Sequence, residues 1–362
     1  MEKPTVKICK EKTLIMKKPI LGIIGGGQLG SLLSVAAKKL EIKTVIFSDD
    51  PAAPAQHFAD KFICGDYKDK KNINNFTNLV DRVTYEFENI PFDILDTIQK
   101  SKNVIPKPEI NKLIQNRITE KEFLNSNKIK TTEYAVIKNK NDIIENEKLL
   151  PGLLKTTTLG YDGKGQYRIH NINDIDNNIN FSKEYILEKI VDLQKEISVV
   201  ITRFGKNQYE IYNPIENIHE NQILKYSIIP AVISNDIKNL AIKWAEYIVE
   251  NLDYTGTLCV EYFIDKNNKI YANEIAPRVH NSGHLTINAY NISQFENHVR
   301  AVCNLDQLET RQLHNARMIN LIGEDILEYR NKKLDKNIFF YDYLKKEIKN
   351  KRKMGHVTII ER

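Results

Sequence analysis

Cys259-Val260-Glu261-Tyr262-Phe263-Ile264 and Ile270-Tyr271-Ala272-Asn273-Glu274-Ile275-Ala276 each set one acid inside an apolar, strand-forming run. A carboxylate in a sheet interior is costly unless it meets a cation or an arginine. The polar segment Asp265 to Lys269 between the two runs reads as a hairpin turn. The hairpin sets Glu261 opposite Glu274, and with Asn273 the pair offers the hard oxygen ligands that magnesium prefers. An exposed hairpin with two solvated acids would use the same residues, so the surrounding sequence has to decide.

Upstream, residues 235–252 have the spacing of an amphipathic helix, and the runs 185–191, 196–203 and 208–213 read as strands. Gly152 to Lys155 is a strand ending in a lysine whose ammonium can reach phosphate oxygens. The loop after it, with Gly160, Gly163 and Gly165, suits either a lid whose backbone N–H groups close over a triphosphate or an ordinary surface hairpin. No G-x-x-x-x-G-K-[ST] loop occurs in the chain. Glu188 with Lys189, Ile190 and Val191 matches a strand end whose backbone reads a base edge while a carboxylate takes a ribose hydroxyl, and Glu196 is a further candidate.

The N-terminal part alternates strand and helix patterns: Pro19 to Ile24, a helix over SLLSVAAKKL, then strands at KTVIFSD, Lys61 to Cys64 and Arg82 to Tyr85. That alternation predicts a parallel sheet with crossover helices. Prolines 106 and 108 end the periodicity, and Glu109 to Leu124 is expected to form one helix beyond a domain boundary. Gly25, Gly27 and Gly30 form G-x-G-x-x-G between strand and helix, with Asp49 and Asp50 at the distance of a ribose-binding acid. Taken alone this indicates a nicotinamide oxidoreductase. Three such glycines equally serve any anion approaching a helix N-terminus, or a tight turn with no ligand.

Composition narrows the class without naming a chemistry. At 362 residues, 41% hydrophobic and 28% charged, the chain has the profile of a globular protein of two or three units. No apolar run is long enough to span a membrane. Residues 1–18 lack the pattern of a secretory signal, and Met16 is an alternative start. Four scattered cysteines suggest reduced cytoplasmic thiols rather than disulfides or zinc ligands. The net charge of +6 and the basic run Lys345 to Lys353 lack interleaved aromatics, so a substrate phosphate is expected there and no nucleic acid.

The strings GGGQLG (25–30), VTYEFENI (83–90), GYDGKGQ (160–166), NEIAPRVHNSGH (273–284) and RKMGH (352–356) resemble the N5-carboxyaminoimidazole ribonucleotide synthase family of ATP-grasp ligases, in order over nearly all of Pro19 to Thr358. The resemblance implies an α/β ATP-grasp fold. Its parts would be an extension over 1–18, a Rossmann-like domain over 19–108, an ATP-grasp domain over 109–305 with a lid at about 120–190, and a small β-rich domain over 306–362. It implies carboxylation of 5-aminoimidazole ribonucleotide by bicarbonate at the expense of ATP, in a cytoplasmic homodimer.

By position, the resemblance places ATP on Arg117, Lys155, Gly160, Tyr161, Asp162, Gly163, Lys164, Gly165, Gln166, Glu188 to Val191, Glu196, His219, Asn273 and Glu274. Magnesium, or manganese in its place, would sit on Glu261 and Glu274. The ribonucleotide would meet Gln28, Leu29, Glu86, Tyr161, Asp162, Arg278, His280, Asn281, Ser282, Lys345 and Arg352. Arg278 is expected to grip bicarbonate or carboxyphosphate bidentately, Lys164 to close over it, and His280 or the departing phosphate to accept the amine proton. The tail departs from the family pattern at Leu344 and Asn350-Lys351. A formate-using glycinamide ribonucleotide transformylase, an NAD-binding oxidoreductase and a non-catalytic nucleotide or nucleic-acid binder are the competing readings.

Overall fold

The computed structural model describes residues 18–160, 165–175 and 179–361. Three sheets follow one another along the chain. The first is parallel throughout: β1 (Leu21–Ile24), α1 (Gln28–Lys39), β2 (Thr44–Ser48), β3 (Lys61–Cys64), α2 (Lys70–Thr77), β4 (Arg82–Tyr85), α3 (Phe92–Gln99) and β5 (Asn103–Val104), in the spatial order β3-β2-β1-β4-β5. Helices cover both faces, so β1 and β2 are buried along their whole length, as their unbroken apolar runs require.

Where one helix was expected between Glu109 and Leu124 there are two, α4 (Pro108–Ile114) and α5 (Arg117–Ser126). The break is built by side chains. Gln115 donates to the carbonyls of Glu88 and Ile90, and the Asn116 side chain accepts from Ile118 N–H at 2.8 Å, capping the second helix. The redirected α5 carries Arg117 and Glu120 toward the carboxylate hairpin.

The second sheet is antiparallel: β6 (Tyr134–Ile137), α6 (Lys140–Glu145), β7 (Gly152–Thr156), β8 (Gln166–Ile169) and β9 (Tyr185–Lys189), ordered β6-β9-β7-β8. The third has nine strands: β10 (Leu193–Gly205), β11 (Gln208–Ile211), β12 (Ile215–Glu220), β13 (Ile223–Ile229), then, after α7 (Asn235–Asn251), β14 (Gly256–Asp265) and β15 (Ile270–Ala276). Past α8 (Thr286–Ala289) and α9 (Gln294–Val302) come β16 (Asn315–Ile322), α10 (Asp325–Arg330), β17 (Ile338–Asp342) and β18 (Lys353–Glu361). The last three strands continue the same sheet through β13 and β16, which brings Lys345, Arg352 and Lys353 back to the cavity described below.

The cores explain why these elements hold the hairpin still. On α7, Ile237, Ala241, Ala245 and Ile248 recur at helical spacing and pack on Val199, Ile201, Leu258 and Val260 of β10 and β14. Each buried branched aliphatic contributes about 1.5–3 kcal/mol. Helix α9 packs Phe295, Val299 and Val302 on Leu33 and Ala37 of α1, joining the parallel sheet to the large one. Among the described residues no helix is long and apolar enough to cross a membrane, and Cys64, Cys259 and Cys303 are free.

Candidate active site

In the β14–β15 hairpin Glu261 is the direct cross-strand partner of Glu274. The Asp265 side chain fixes the turn by accepting N–H bonds from Asn267 and Lys269, both at 2.8 Å. The register slips immediately beyond the pair: Tyr262 faces Ala272, which leaves Asn273 as the extra residue of a bulge. Asn273 and Glu274, which would point to opposite faces of a regular strand, therefore both line one cavity of about 1010 Å³. The buried Asn273 Oδ1 has no partner. Burial, and then the Glu274 charge, push the Glu261 carboxyl well above the usual carboxylate range.

Helix α5 supplies the next layer. Arg117 Nη1 approaches Glu274 Oε2 at 3.4 Å, and its Nη2 donates to the Gly160 carbonyl at 3.2 Å. Glu120 accepts from Ile275 N–H at 2.5 Å; burial and the Glu274 charge push its carboxyl upward too. Beside them the Glu188 carboxylate is clasped by Lys155 at 2.8 Å and Lys121 at 3.4 Å. Burial works to raise Glu188, but Lys155 and Lys121 override it and hold it at about 2. On β12 and β10, the latter paired with the hairpin's β14, His219 Nδ1 lies 2.9 Å from Glu196 Oε2.

Across the cavity the glycine turn has an occupant of its own. Gly27 N–H donates to Glu86 Oε1 and Gly30 N–H to Glu86 Oε2, the latter at 2.8 Å. A carboxylate from β4's end thus sits where a phosphate would meet the helix N-terminus. A Cβ on Gly27 would come within 2.6 Å of that carboxylate, which is why glycine stands there. Gln28 accepts from Lys345 Nζ at 2.7 Å, and Lys345 also donates to the Lys353 carbonyl at 2.6 Å.

Arg278 and His280 connect the two sides. Arg278 Nε pairs with Glu88 Oε2 and Nη1 donates to the Val279 carbonyl at 3.0 Å. Burial alone would raise Glu88, but the guanidinium prevails and holds its carboxyl at about 2. His280 Nε2 lies 3.3 Å from Glu261 Oε1, and burial and then Arg278 depress its pKa to about 3.

Most of the chain matches three family models in succession: a ribonucleotide synthetase preATP-grasp domain over residues 16–115, an ATP-grasp domain over 122–295, and a phosphoribosylaminoimidazole carboxylase C-terminal domain over 316–362. N5-carboxyaminoimidazole ribonucleotide synthase of Brucella melitensis is 38% identical over 357 residues, 97% of this chain and 99% of the relative. The chain belongs to the N5-carboxyaminoimidazole ribonucleotide synthase family. A crystal structure of a family member in complex with ADP is 38% identical, with a TM-score of 0.90 over 96% of this chain and 93% of that one. Another, from Aspergillus clavatus with ADP and 5-aminoimidazole ribonucleotide, is 27% identical with a TM-score of 0.88, over 95% and 94% of the two chains.

Within this synthase fold the cavity collects Gln28, Leu29, Glu86, Arg117, Lys155, Gly160 and Gln166, together with Glu196, His219, Glu261, Asn273, Glu274, Arg278, His280, Asn281, Lys345 and Arg352. Tyr161, Asp162, Gly163 and Lys164 lie outside the described residues. Gly165, Glu188, Lys189, Ile190, Val191 and Ser282 do not line the cavity. Glu188 is turned to its two lysines, and the N–H groups of Lys189 and Ile190 are spent on the carbonyls of Glu133 and Pro151. The Ser282 side chain is fully enclosed.

Three readings are sharpened. The dinucleotide reading of the glycine turn fails because Glu86 already fills the anion position. Arg278 Nε is held by Glu88, so the bidentate grip expected of this guanidinium falls to its Nη groups. His280 is a poor proton acceptor: Nδ1 faces the Ser282 N–H at 3.3 Å, and burial disfavours its charged form. Sequence reasoning missed Glu88, Lys121 and Glu120. VTYEFENI carried the signal for Glu88, an acid two places from Glu86 and so on the same face if the strand runs on. Nothing short of the helix break identifies Glu120 and Lys121.

Proposed function

We propose that this chain carboxylates 5-aminoimidazole ribonucleotide with bicarbonate, converting ATP to ADP and phosphate and yielding N5-carboxyaminoimidazole ribonucleotide, a step of purine biosynthesis. The observation that carries the reading is one continuous cavity in which the Glu261/Glu274 pair, Arg278 and the Glu86-filled glycine turn face one another. The finer parts of the reading, magnesium (or manganese), bicarbonate as carbon donor, a cytoplasmic homodimer and the division at 108/109 and 305/306, are supported by the family resemblance.

The residues present suit a divalent cation. Glu261, Glu274 and the unpartnered Asn273 oxygen form an open set of hard donors, and among the described residues no group of three or more histidine, cysteine or acidic side chains encloses an ion. That is the arrangement expected where nucleotide phosphates complete the coordination. When bound, the cation neutralises charge on the transferring phosphoryl group.

The chain's own residues do the remainder. Lys155 exchanges Glu188 for phosphate oxygens, while Lys121 stays to neutralise Glu188. Arg117 lies between the Gly160 carbonyl and Glu274 and orients the phosphate tail. Glu196, aligned by His219, takes the ribose. Glu88 holds the Arg278 guanidinium by one edge, so the remaining N–H groups present a fixed positive charge to bicarbonate and then to carboxyphosphate. Bicarbonate oxygen attacks the γ-phosphorus and ADP leaves. The exocyclic amine then attacks the carboxyphosphate carbon, or the CO2 it releases, with loss of phosphate. The departing phosphate takes the amine proton, since His280 has no nitrogen to offer it. Gln28, Lys345 and Arg352 hold the ribonucleotide 5'-phosphate.

The test is phosphate release from ATP with each substrate omitted in turn. Release that needs both bicarbonate and the ribonucleotide is expected; release supported equally by formate with glycinamide ribonucleotide would reject the reading.

A further inference from the structure

Ser282 lies behind the site and is a link in a buried chain of polar groups. The Ser227 hydroxyl donates to Asn217 Oδ1 at 3.0 Å, and Asn217 Nδ2 donates to Ser198 Oγ at 2.9 Å. The Ser198 and Ser282 hydroxyls are 2.8 Å apart, and Ser282 Oγ is 2.9 Å from His280 Nδ1. Ser198, Ser227 and Ser282 are 0% exposed and Asn217 5%, so water does not compete for these bonds.

The direction of this chain is fixed at its far end. The Asn217 carbonyl oxygen is taken by Ser227, so its amide N–H points at Ser198. Ser198, accepting from Asn217, is thereby set to donate to Ser282, and Ser282, whose oxygen also lies 3.9 Å from the weakly bonding Cys259 thiol, to donate to His280 Nδ1. The Ser282 backbone N–H points at the same nitrogen at 3.3 Å. Nδ1 is therefore an acceptor, and the ring proton belongs on Nε2, which faces Glu261 Oε1 at 3.3 Å.

We propose that Asn217, Ser198 and Ser282 are positioning residues that lock His280 in its Nε2–H tautomer, making the ring a hydrogen-bond donor to Glu261 and aiming that carboxylate at the cation. The last step rests on the metal reading of Glu261; the tautomer does not. Buried polar groups of this kind cost stability relative to apolar ones, and their return is a single arrangement of the ring. The three residues come from β12, β10 and the turn after Arg278, so the relay also ties the hairpin's loop to the sheet beneath it.

The experiment uses the full chain with 15N-labelled histidine, free of metal and nucleotide, and a long-range 1H–15N correlation spectrum. The His280 signals are assigned by their loss in His280→Gln. A single Nε2–H tautomer is expected. Asn217→Asp presents two acceptor oxygens, draws the Ser198 proton away from Ser282 and should give a tautomer mixture; Ser282→Ala should do the same, and Ser282→Thr should restore the Nε2–H form. Mn2+ titration followed by electron paramagnetic resonance should give about tenfold weaker binding in Asn217→Asp and Ser282→Ala, the usual size for groups that orient a ligand's partner.

An Nδ1–H ring in the unsubstituted chain overturns the proposal, as does an unchanged tautomer in both variants. A shifted tautomer with unchanged Mn2+ binding overturns the link to Glu261. If one variant does not fold, the unsubstituted spectrum and the other variant still decide. Absence of Mn2+ binding in the unsubstituted chain falls on the metal reading alone, because the nitrogen spectrum reports the tautomer by itself.

Discussion

At the glycine turn one carboxylate, Glu86, takes two backbone N–H donors from the start of α1, whereas at the β14–β15 hairpin Glu261 and Glu274 face each other, with Arg117 beside Glu274 and His280 beside Glu261. Both sites place acids in the interior around the same cavity. The difference lies in the donors: Glu86 is satisfied by two backbone N–H groups, while in the hairpin pair two like groups face each other, and burial and then Glu274 push the Glu261 carboxyl up. A satisfied acid shapes a binding surface. An under-satisfied pair is a site for a cation, and the bulge at Asn273 adds a third oxygen to it.

The strongest way to break this contrast is to neutralise the hairpin. Glu274→Gln should lower ribonucleotide-dependent phosphate release by about a thousandfold, the equivalent of several kcal/mol of charge stabilisation at the transferring phosphoryl group. The substitution also relieves like-charge repulsion, so the metal-free variant should unfold no earlier on heating than the parent. Phosphate release within tenfold of the parent would remove the metal role from the pair.

The next test carries the opposite sign in stability. Glu86→Gln turns an amide N–H2 toward one of two backbone N–H groups, donor against donor, and should cost about 1–3 kcal/mol, read as a lower midpoint in urea. A midpoint that stays put, as expected for the hairpin variant, would erase the distinction between the two regions.

A smaller effect probes the substrate end of the glycine turn. Lys345→Met should raise the KM for the ribonucleotide by about tenfold, the order of one charge-assisted hydrogen bond, and leave the KM for ATP where it is. An equal rise in both would place Lys345 outside the phosphate site and leave Gln28 without its partner's role.

How much of this was legible beforehand follows the same divide. Local pattern was enough where a residue's surroundings are its sequence neighbours. The strands at Lys61–Cys64, Arg82–Tyr85 and Gly256–Asp265 and the α7 periodicity stand where alternation and helical spacing place them. The facing of Glu261 and Glu274 follows from two strands and a polar turn. Long-range partners were not legible. That Glu86 rather than a ligand fills the glycine turn depends on β4 lying beside β1. The assignment of Glu188 to two lysines needs α5 to turn at Asn116, a break made by contacts with Glu88 and Ile90. The bulge at Asn273 is a one-residue slip that leaves no mark in the residue pattern. The resemblance to a family supplied names for site residues without saying which side chains face the cavity and which hold those that do.

The mildest perturbation is a proton. Burial and Glu274 raise the Glu261 carboxyl above the ordinary carboxylate value, so the folded, metal-free chain retains a proton there at pH values where the unfolded chain has lost it. With more protons bound in the folded state, stability falls as pH rises from the usual carboxylate range toward the raised value, by at most about 1.4 kcal/mol per pH unit for each proton. Mg2+ or Mn2+ needs the carboxylate, so its binding should expel up to about one proton in that window and strengthen as pH rises through it. Calorimetric titrations in buffers of different ionisation enthalpy measure that proton directly. Burial raises Glu86 as well, but its carboxylate is held by the turn and no ion replaces its proton. Glu261→Gln should therefore reduce the release to what Glu120 gives up once a cation offsets Glu274, while Glu86→Gln should leave it intact. Proton release that survives Glu261→Gln undiminished and disappears in Glu86→Gln would exchange the roles of the two regions.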